Sequence, residues 1–400
     1  MLIMEKVTIG GLRELLRKQG EKEKLELVPP SSVVSWLYPG QFAFCLNEEF
    51  IWDRYGTFID MKGEEHFHKI QPVIRWVDFT EFFMGEKGGP PEKSDSHLAH
   101  FDMVTIGGGH IIPKKDYKDY SPKIYGEMFN FLINELGLKK ENFIITYFPG
   151  GKLSAFAKNT KGKPKFRFDH TFPEDLESKQ KLFELGFTKT QIKKDFSRRC
   201  FLIPDWVCGE IAPWGYRNEI NYRAKNGLVD IATIERLTWR PVYENREITS
   251  IKKWDKSFII AGAGFERLVM IANNLEKIQE VENIKTLYDF IKSNENGNPR
   301  LVTESLRLVH RIVADTNGDL RDSRSLNKPS GRIEKFNKLK RNLLNLGGLK
   351  LKKALEINAR INPWHPKLKE SISKTIEIIK DYAESQKDWK QLKREKQFKK

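Results

Sequence analysis

Cysteine is scarce in this chain of 400 residues, and long apolar runs are missing from it. None of the three cysteines, Cys45, Cys200 and Cys208, is paired at the spacing of zinc ligands. This argues against a disulfide framework or a zinc module, so buried free thiols are expected. Uncharged stretches stay below the roughly 18 residues that a membrane span requires, and Glu5 and Lys6 interrupt the apolar start that a signal peptide would extend. We therefore expect a soluble, cytoplasmic protein without a membrane partner.

Acidic side chains are also in short supply. The chain has 70 Lys and Arg against 54 Asp and Glu, which gives a formal net charge of +16. The excess lies mostly in residues 331–400, where 20 basic residues stand against 8 acidic ones. Clustered cations gain free energy beside a polyanion by releasing its counterions, which indicates a nucleic-acid partner. A lysine-rich, solvated surface is the alternative interpretation.

The first two thirds of the sequence mix helical and strand patterns. Apolar spacing predicts an amphipathic helix over 8–20, and the composition of 31–84 is typical of a sheet. Gly, Pro and charged residues in 85–96 predict a loop. Further strands are predicted at 97–106, 142–148, 218–224, 228–236 and 256–261, with a helix at 124–136. The glycines at 107–109 indicate either a turn or a close backbone approach to a ligand.

After Gly264 the pattern becomes helical. Helices are predicted at 265–278, 301–315, 332–346 and 366–384, and the charged end at 391–400 is expected to fray. The fold class is therefore mixed α/β (α+β), with an all-α region after the sheet.

Four short segments carry a resemblance to a known family. They are VPPSSVV (28–34), QPVIRW (71–76), SHLAHFDM (96–103) and AGAGFERL (261–268). The last resembles the third signature of class II aminoacyl-tRNA synthetases, and the others resemble the first and second signature regions of alanyl-tRNA synthetases. Glycines let a nucleotide approach the backbone, and Arg267 offers a planar cation that can stack on adenine.

Three longer blocks narrow the resemblance to alanyl-tRNA synthetases. Residues 205–222 resemble the segment that forms the amino-acid pocket, and 305–332 and 362–379 resemble the opening and a later helix of the tRNA-recognition domain. The resemblance implies a class II antiparallel sheet flanked by helices at 1–280, a helical tRNA-recognition-like domain at 281–385 and a basic tail at 386–400. The editing and C-terminal oligomerising domains of the family are expected to be missing, which leaves room for a partner protein that supplies them.

The resemblance implies four groups of functional residues. Catalytic roles fall on Arg267, Arg75 and His97, and ATP contacts fall on Arg75, Met103, Gly262, Gly264 and Arg267. The amino-acid pocket falls on Trp206, Glu219, Thr233 and Ile260. Contacts to the acceptor stem of tRNA fall on Arg307, Arg311, Arg324, Asn327, Lys328 and Arg332. The implied ligands are ATP with Mg²⁺, tRNA and a small amino-acid-like substrate; no resident metal is predicted, because His66 and His68 lack a convergent third ligand.

The second signature departs from the family pattern at Ser96. In the family an arginine at this position holds the α-phosphate of ATP and the substrate carboxylate, and losing such a donor removes about 3 kcal/mol of transition-state stabilisation. Lys93, Arg75, His97 and His100 are the candidates to compensate. His97 and His100 are three apart on one predicted strand, so they should point to opposite faces.

The amino-acid pocket also departs from the pattern. The family aspartate that pairs with the substrate ammonium falls on Ile260, and a neighbouring Trp and Asn fall on Ala232 and Thr233. A desolvated ammonium beside isoleucine would be costly, so either the substrate has no amino group there or another acid serves. Glu210 and Asp230 are the unranked candidates.

Three functions follow. The first is ATP-dependent activation of an amino or related acid with transfer to tRNA, through an altered pocket. The second is a non-catalytic tRNA-binding paralogue, as Ser96 indicates. The third is an ATP-dependent ligase or acyl transferase of small-molecule metabolism, as Ile260 indicates.

Overall fold

The structure, a computed structural model, describes residues 6–38, 40–46, 48–57, 61–84, 95–158, 164–203, 212–244, 247–295, 297–322 and 330–397. Side chains are described for all of these except 155–158, 164–167, 247, 330 and 388–397. The chain forms two compact units: residues 1–31, 45–72 and 102–276 make the first, and 32–44, 73–101 and 277–400 make the second. The predicted domains are consecutive in the sequence, whereas each of these units is made of three separate sequence segments. The domain assignment stays a prediction.

A nine-stranded sheet dominates the structure. The strands are β1 Glu26–Val28, β2 Glu65–Ile74, β3 His100–Pro113, β4 Phe143–Tyr147, β5 Gly151–Lys158, β6 Pro164–Phe172, β7 Ile192–Lys194, β8 Phe201–Leu202, β9 Trp214–Ala224, β10 Gly227–Glu244 and β11 Glu247–Gly264. The sheet order is β1-β2-β3-β11-β10-β9-β4-β7, with β8 beside β9, while β5 and β6 form a separate hairpin. The pairs β1–β2 and β4–β7 are parallel, and the pairings of β11 with β3, of β10 with β11 and β9, and of β9 with β4 and β8 are antiparallel.

The helices begin and end where capping residues allow. They are α1 Ile9–Lys22, α2 Glu49–Tyr55, α3 Trp76–Asp78, α4 Tyr117–Asn130, α5 Leu176–Glu184, α6 Phe265–Ala272, α7 Glu282–Asn294, α8 Pro299–Thr316, α9 Ser330–Arg341, α10 Gly348–Ile361, α11 Lys367–Glu370 and α12 Ile372–Gln397. Thr8 caps α1 by accepting a hydrogen bond from the Gly11 N–H. Asn298 caps α8, whose first residue is proline, and Asn317 ends that helix in the left-handed conformation. Within the described ranges, no helix is long and apolar enough to span a bilayer.

Each compact unit has its own apolar core. In the first unit one cluster includes Phe67, Trp254, Phe258 and Ile260 on the sheet, with Ile51 from α2. A second cluster surrounds Phe148, Phe172 and Phe201. In the second unit Leu287, Leu306, Val309 and Leu355 of the helices pack with Phe79. The Cys200 thiol is buried, as expected, and the Cys45 thiol is only partly buried.

The predicted architecture, an antiparallel sheet flanked by helices and followed by a helical region, is confirmed. The two parallel pairs make the sheet mixed. Sheet composition over 31–84 was a poor guide: among the described residues of this range only Glu65–Ile74 is a strand, and α2 and α3 occupy aromatic-rich stretches. Helix 124–136 begins earlier, at Tyr117, and its last turn is a π-helix over Phe131–Glu135.

The predicted turn at 107–109 is wrong, because β3 runs through these glycines. Ile260 of β11 lies opposite Gly109 and Gly262 lies opposite Thr105, so β3 carries two extra residues in a bulge. Gly107 and Gly108 have φ angles of 71° and 91° there. A Cβ at Gly109 would lie 2.4 Å from Cζ of Phe67. The glycines therefore allow close packing against this protein's own side chains.

Candidate functional site

The two faces of the central strands carry different sets of charged side chains. On one face Arg236 of β10 is fully buried and pairs with Asp175, the N-cap residue of α5. The Arg236 guanidinium also lies 5.6 Å from the ring centroid of Tyr125 on α4. Asn218 of β9 joins this network through Tyr125. Because successive side chains alternate across a sheet, the neighbours of Arg236 and Asn218 point to the opposite face.

That opposite face carries two rows of residues in cross-strand register. Arg217 of β9, Glu235 of β10 and Ile260 of β11 form the first row. Glu219, Thr233 and Gly262 form the second row, on the same three strands. The predicted pocket residues Glu219, Thr233 and Ile260 are therefore brought together. We call these six residues the charged face.

One guanidinium is shared by two carboxylates on the charged face. Nε of Arg217 lies 3.3 Å from Oε1 of Glu219 and 3.3 Å from Oε1 of Glu235. Burial raises the pKa of Glu235, and the charge of Arg217 opposes that rise. Burial acts to lower the pKa of Arg217, but the carboxylates of Glu219, Glu235 and Asp230 outweigh it, and the pKa is raised. One cation between two anions leaves a negative site that favours a cationic group.

Glu235 is the acid nearest in register to Ile260. The Glu235 side chain is 19% exposed, so it is accessible from this face. Of the two acids proposed from the sequence, Asp230 contacts Arg267, and Glu210 lies outside the described residues. Alternation from Thr233 would have pointed to Glu235, since the two residues are two apart on one predicted strand.

A buried lysine and glutamate add charges that the sequence did not indicate. Lys69 of β2 is fully buried, and its Nζ donates to Oγ of Ser31 over 3.0 Å. Burial lowers the pKa of Lys69, and the negative charge of Glu48 opposes this. Burial raises the pKa of Glu48, which is also close enough to Glu235 to be raised by its charge. No hydrophobic pattern marks Lys69, because strand β2 is buried on both sides.

The third-signature segment joins strand β11 to helix α6. Residues 261–264 belong to β11, and α6 begins directly after them at Phe265. Arg267 is on α6, where its Nη1 donates to the backbone oxygen of Asp230 at 2.9 Å. Gly262 leaves a shallow space, in which a Cβ would lie 3.4 Å from Leu46 and 3.9 Å from Met103. Met103 itself is opposite Gly264 in register. Three of the predicted ATP contacts, Met103, Gly262 and Gly264, thus lie on the adjacent strands β3 and β11, whereas Arg267 lies on α6.

Arg75 and His97 belong to the second compact unit. Arg75 is 38% exposed, with Nε 3.8 Å from Asp78. The ring of His97 packs on Phe82 with centroids 4.6 Å apart, and its Nδ1 lies 3.2 Å from Oγ of Ser96. His97 precedes β3, whereas His100 opens that strand. The expectation of two histidines on opposite faces of one strand is therefore wrong.

Three of the predicted tRNA contacts are buried. Arg307 pairs with Glu304, Arg311 pairs with Asp315, and Arg332 pairs with Asp322. None of the three arginines is more than 5% exposed. Each of these guanidiniums is therefore engaged with a carboxylate of this chain. Trp206, Arg324, Asn327, Lys328 and Lys93 lie outside the described residues.

The histidines of β2 have separate partners. Nδ1 of His66 lies 3.0 Å from Nδ1 of His110, and Nδ1 of His68 lies 2.9 Å from Oγ1 of Thr105. Among the described residues, no group of three or more His, Cys, Asp or Glu is arranged to hold a metal ion.

No family model matches this chain. Over 215 residues, half of the chain, it is 26% identical to the cytoplasmic alanine–tRNA ligase of Drosophila melanogaster, and this match covers 20% of that protein. The chain thus matches about a fifth of the length of that relative. Among solved structures it is similar to the pyrrolysyl-tRNA synthetase of Desulfitobacterium hafniense, with a TM-score of 0.32 and 10% identity over 70% of this chain and 75% of that one. For the aspartyl-tRNA synthetase of Entamoeba histolytica the TM-score is 0.33 and the identity 12%, over 68% and 56% of the two chains. In sequence, this chain is similar to an aminoacyl-tRNA ligase.

Proposed function

We propose that this chain is an alanyl-tRNA synthetase-like enzyme, which activates an amino or related acid with ATP and transfers it to tRNA. In activation a carboxylate oxygen of the acid bonds to the α-phosphorus of ATP, and the bond to pyrophosphate breaks. Chemistry of this kind depends on positioning and on relief of charge rather than on a protein nucleophile. The sequence similarity to a tRNA ligase and the basic C-terminal region support tRNA as the acceptor.

The observation that carries this proposal is the row of Arg217, Glu235 and Ile260 on the charged face. An ammonium at Ile260 would have no partner on its own strand, but the Glu235 carboxylate is directly opposite on β10. We propose that Glu235 takes over the task that the family gives to an aspartate at position 260. Ion pairing with Arg217 favours the charged form of Glu235 and opposes the burial that raises its pKa. A substrate with a free amino group then fits the altered pocket.

ATP would bind beside the second row, where Gly262 and Met103 leave space and Arg267 offers a planar cation. Mg²⁺ would arrive with the phosphates, since this ion prefers phosphate oxygens and water to a cage of protein ligands. For the second unit, the assignment of Arg75 and His97 to catalysis stays a prediction from the family resemblance.

The proposal is tested by pyrophosphate exchange from ATP across all proteinogenic amino acids, with and without total tRNA. We expect exchange with one acid or a small set. Glu235→Gln should raise KM for that acid by about 10- to 100-fold, because a charge-assisted hydrogen bond contributes about 1.5–3 kcal/mol. KM for ATP should change little. Arg267→Ala should instead raise KM for ATP.

Lys189→Gln is the matched control, since Lys189 is exposed and in the same unit. Equal changes of KM for both substrates in Glu235→Gln would argue against a specific contact to the ammonium. Absence of exchange with every acid, together with retained tRNA binding, would favour the second candidate, a non-catalytic tRNA-binding protein. That candidate is kept because Ser96 replaces an arginine of the family signature.

A further inference from the structure

A cavity of about 610 Å³ lies along the hairpin of β10 and β11. Its walls are formed by residues 240–243 of β10 and 252–255 of β11. The register of the two strands slips beside it, because Lys253 lies opposite Trp239 whereas Phe258 lies opposite Leu237. Residues 254–257 therefore form a bulge, and a bulge bends its strand and redirects the side chains. The cavity is a consequence of this irregular pairing.

The lining of the cavity has an excess of positive charge. Arg240, Lys252 and Lys253 supply three cations, and Asp255 supplies one anion. Lys252 and Lys253 are exposed, and neither forms an ion pair with another described residue. Burial lowers the pKa of Lys253, and the nearby charge of Lys114 lowers it further. Like charges are thus held close together, which creates a positive potential that attracts an anion.

Aromatic rings accompany these cations. Nζ of Lys253 lies 3.6 Å from the ring centroid of Trp239, and Tyr243 and Trp254 form part of the wall. Small-molecule sites in proteins have volumes of roughly 300–1,000 Å³, so this cavity is larger than an inorganic anion needs. Cations interleaved with aromatic side chains are the surface that single-stranded nucleic acids bind, since the cations contact phosphates and the rings stack on bases.

We propose that this cavity binds a segment of RNA, with Arg240, Lys252 and Lys253 contacting its phosphates and Tyr243 offering a ring to a base. An RNA strand is favoured over a free nucleotide because three cations, Arg240, Lys252 and Lys253, line the cavity along both strands of the hairpin and can contact successive phosphates. The site goes beyond the proposed function, since it is formed by sheet residues outside the blocks that resemble a tRNA-recognition domain. It also does not require that the chain activates an acid.

The test is fluorescence anisotropy of labelled total tRNA with the full chain, over a range of salt concentrations. A Lys252→Glu/Lys253→Glu variant is compared with a Lys62→Glu/Lys189→Glu control. All four lysines are exposed in the first unit, and both variants lose the same charge. The cavity variant should bind about 10-fold or more weakly, and its salt slope should fall by about 2, as expected for two lost phosphate contacts. The control should stay within about threefold of the wild type.

Equal losses of affinity in the two variants would overturn the inference, because they would reflect net charge alone. Competition with AMP could also overturn it. If AMP displaced tRNA at the same concentration of phosphate groups as competing RNA, the cavity would be a nucleotide site. Photocrosslinking with 4-thiouridine-substituted RNA locates the contact directly: crosslinks to the peptide that spans 240–255 are expected, and crosslinks restricted to other peptides contradict the proposal. None of these readouts depends on pyrophosphate exchange, so failure of the proposed function is separate from failure of this site.

Discussion

Substitution of Arg332 tests the helical unit most sharply, because the family resemblance assigns this side chain to tRNA whereas the structure buries it. Only 1% of Arg332 is exposed. Its guanidinium pairs with Asp322 at 2.9 Å, and that carboxylate is buried as well. It also donates to four backbone carbonyls, those of Ser35, Tyr38, Gln41 and Leu320. Arg332 thus ties α9 to the segment at 35–41 within the second unit.

Arg332→Met should lower the free energy of unfolding by about 4 kcal/mol, since removing one partner of a buried ion pair costs about 3–5 kcal/mol. Four carbonyls would lose their donor as well, and each unsatisfied buried group costs about 1–3 kcal/mol unless water reaches it. Arg332→Met combined with Asp322→Asn should cost less than the sum of the two single changes, because the double variant leaves no buried charge unpaired.

The assay is urea denaturation followed by circular dichroism, with tRNA affinity measured well below the transition. Arg341→Met is the control, since Arg341 is exposed at the end of the same helix and should change stability by less than about 0.5 kcal/mol. Two results together would refute the burial argument: Arg332→Met lowers the free energy of unfolding by under about 1 kcal/mol, and it binds tRNA much more weakly than the control. Arg332 would then contact tRNA, as the family resemblance implies.

Two further predictions concern packing and protonation in the first unit. Gly109→Ala should destabilise the protein by about 1–3 kcal/mol, because the new Cβ meets the buried ring of Phe67. Gly126→Ala, which has open space around it in α4, should instead stabilise the protein by about 0.5–1 kcal/mol. Equal effects of the two changes in thermal melts would contradict this. Burial lowers the pKa of His110 to about 4, so the unfolded chain binds the extra proton between pH 6.5 and 4. The contribution of His110 to the free energy of unfolding is therefore present above pH 6.5 and lost towards pH 4, by up to about 1.4 kcal/mol per pH unit. The urea midpoint of His110→Gln should accordingly depend less steeply on pH than that of the wild type.

The architecture was predictable because long strands and helices carry a strong periodic signal. The alternation in 218–224 and 228–236 led to β9 and β10, although both strands extend beyond these limits. The glycines of β3 could not be assigned from sequence, since local turn chemistry at 107–109 competes with the partners of the strand. The side chains that a Cβ would meet there are far away in the sequence: Glu127 for Gly107, Leu25 for Gly108 and Phe67 for Gly109.

The candidate site was half predictable for a related reason. Glu219, Thr233 and Ile260 were placed by resemblance, position by position, and the structure brings them to one face. Glu235 was missed because a replacement for a lost family residue is usually sought at the altered position itself or in nearby motifs. Position 235 is far from 260 in sequence but adjacent to it across the strand pair.

The burial of Arg307, Arg311 and Arg332 changes where RNA contacts should be sought. Each of these arginines already neutralises a carboxylate, so releasing one for a phosphate would leave a buried anion unpaired, at a cost of several kcal/mol. Lys252 and Lys253 form no ion pair with a described residue, so a phosphate can bind them without leaving a carboxylate unpaired. The free energy of RNA binding is therefore more readily obtained at the hairpin of β10 and β11 than from the arginines that the sequence resemblance points to.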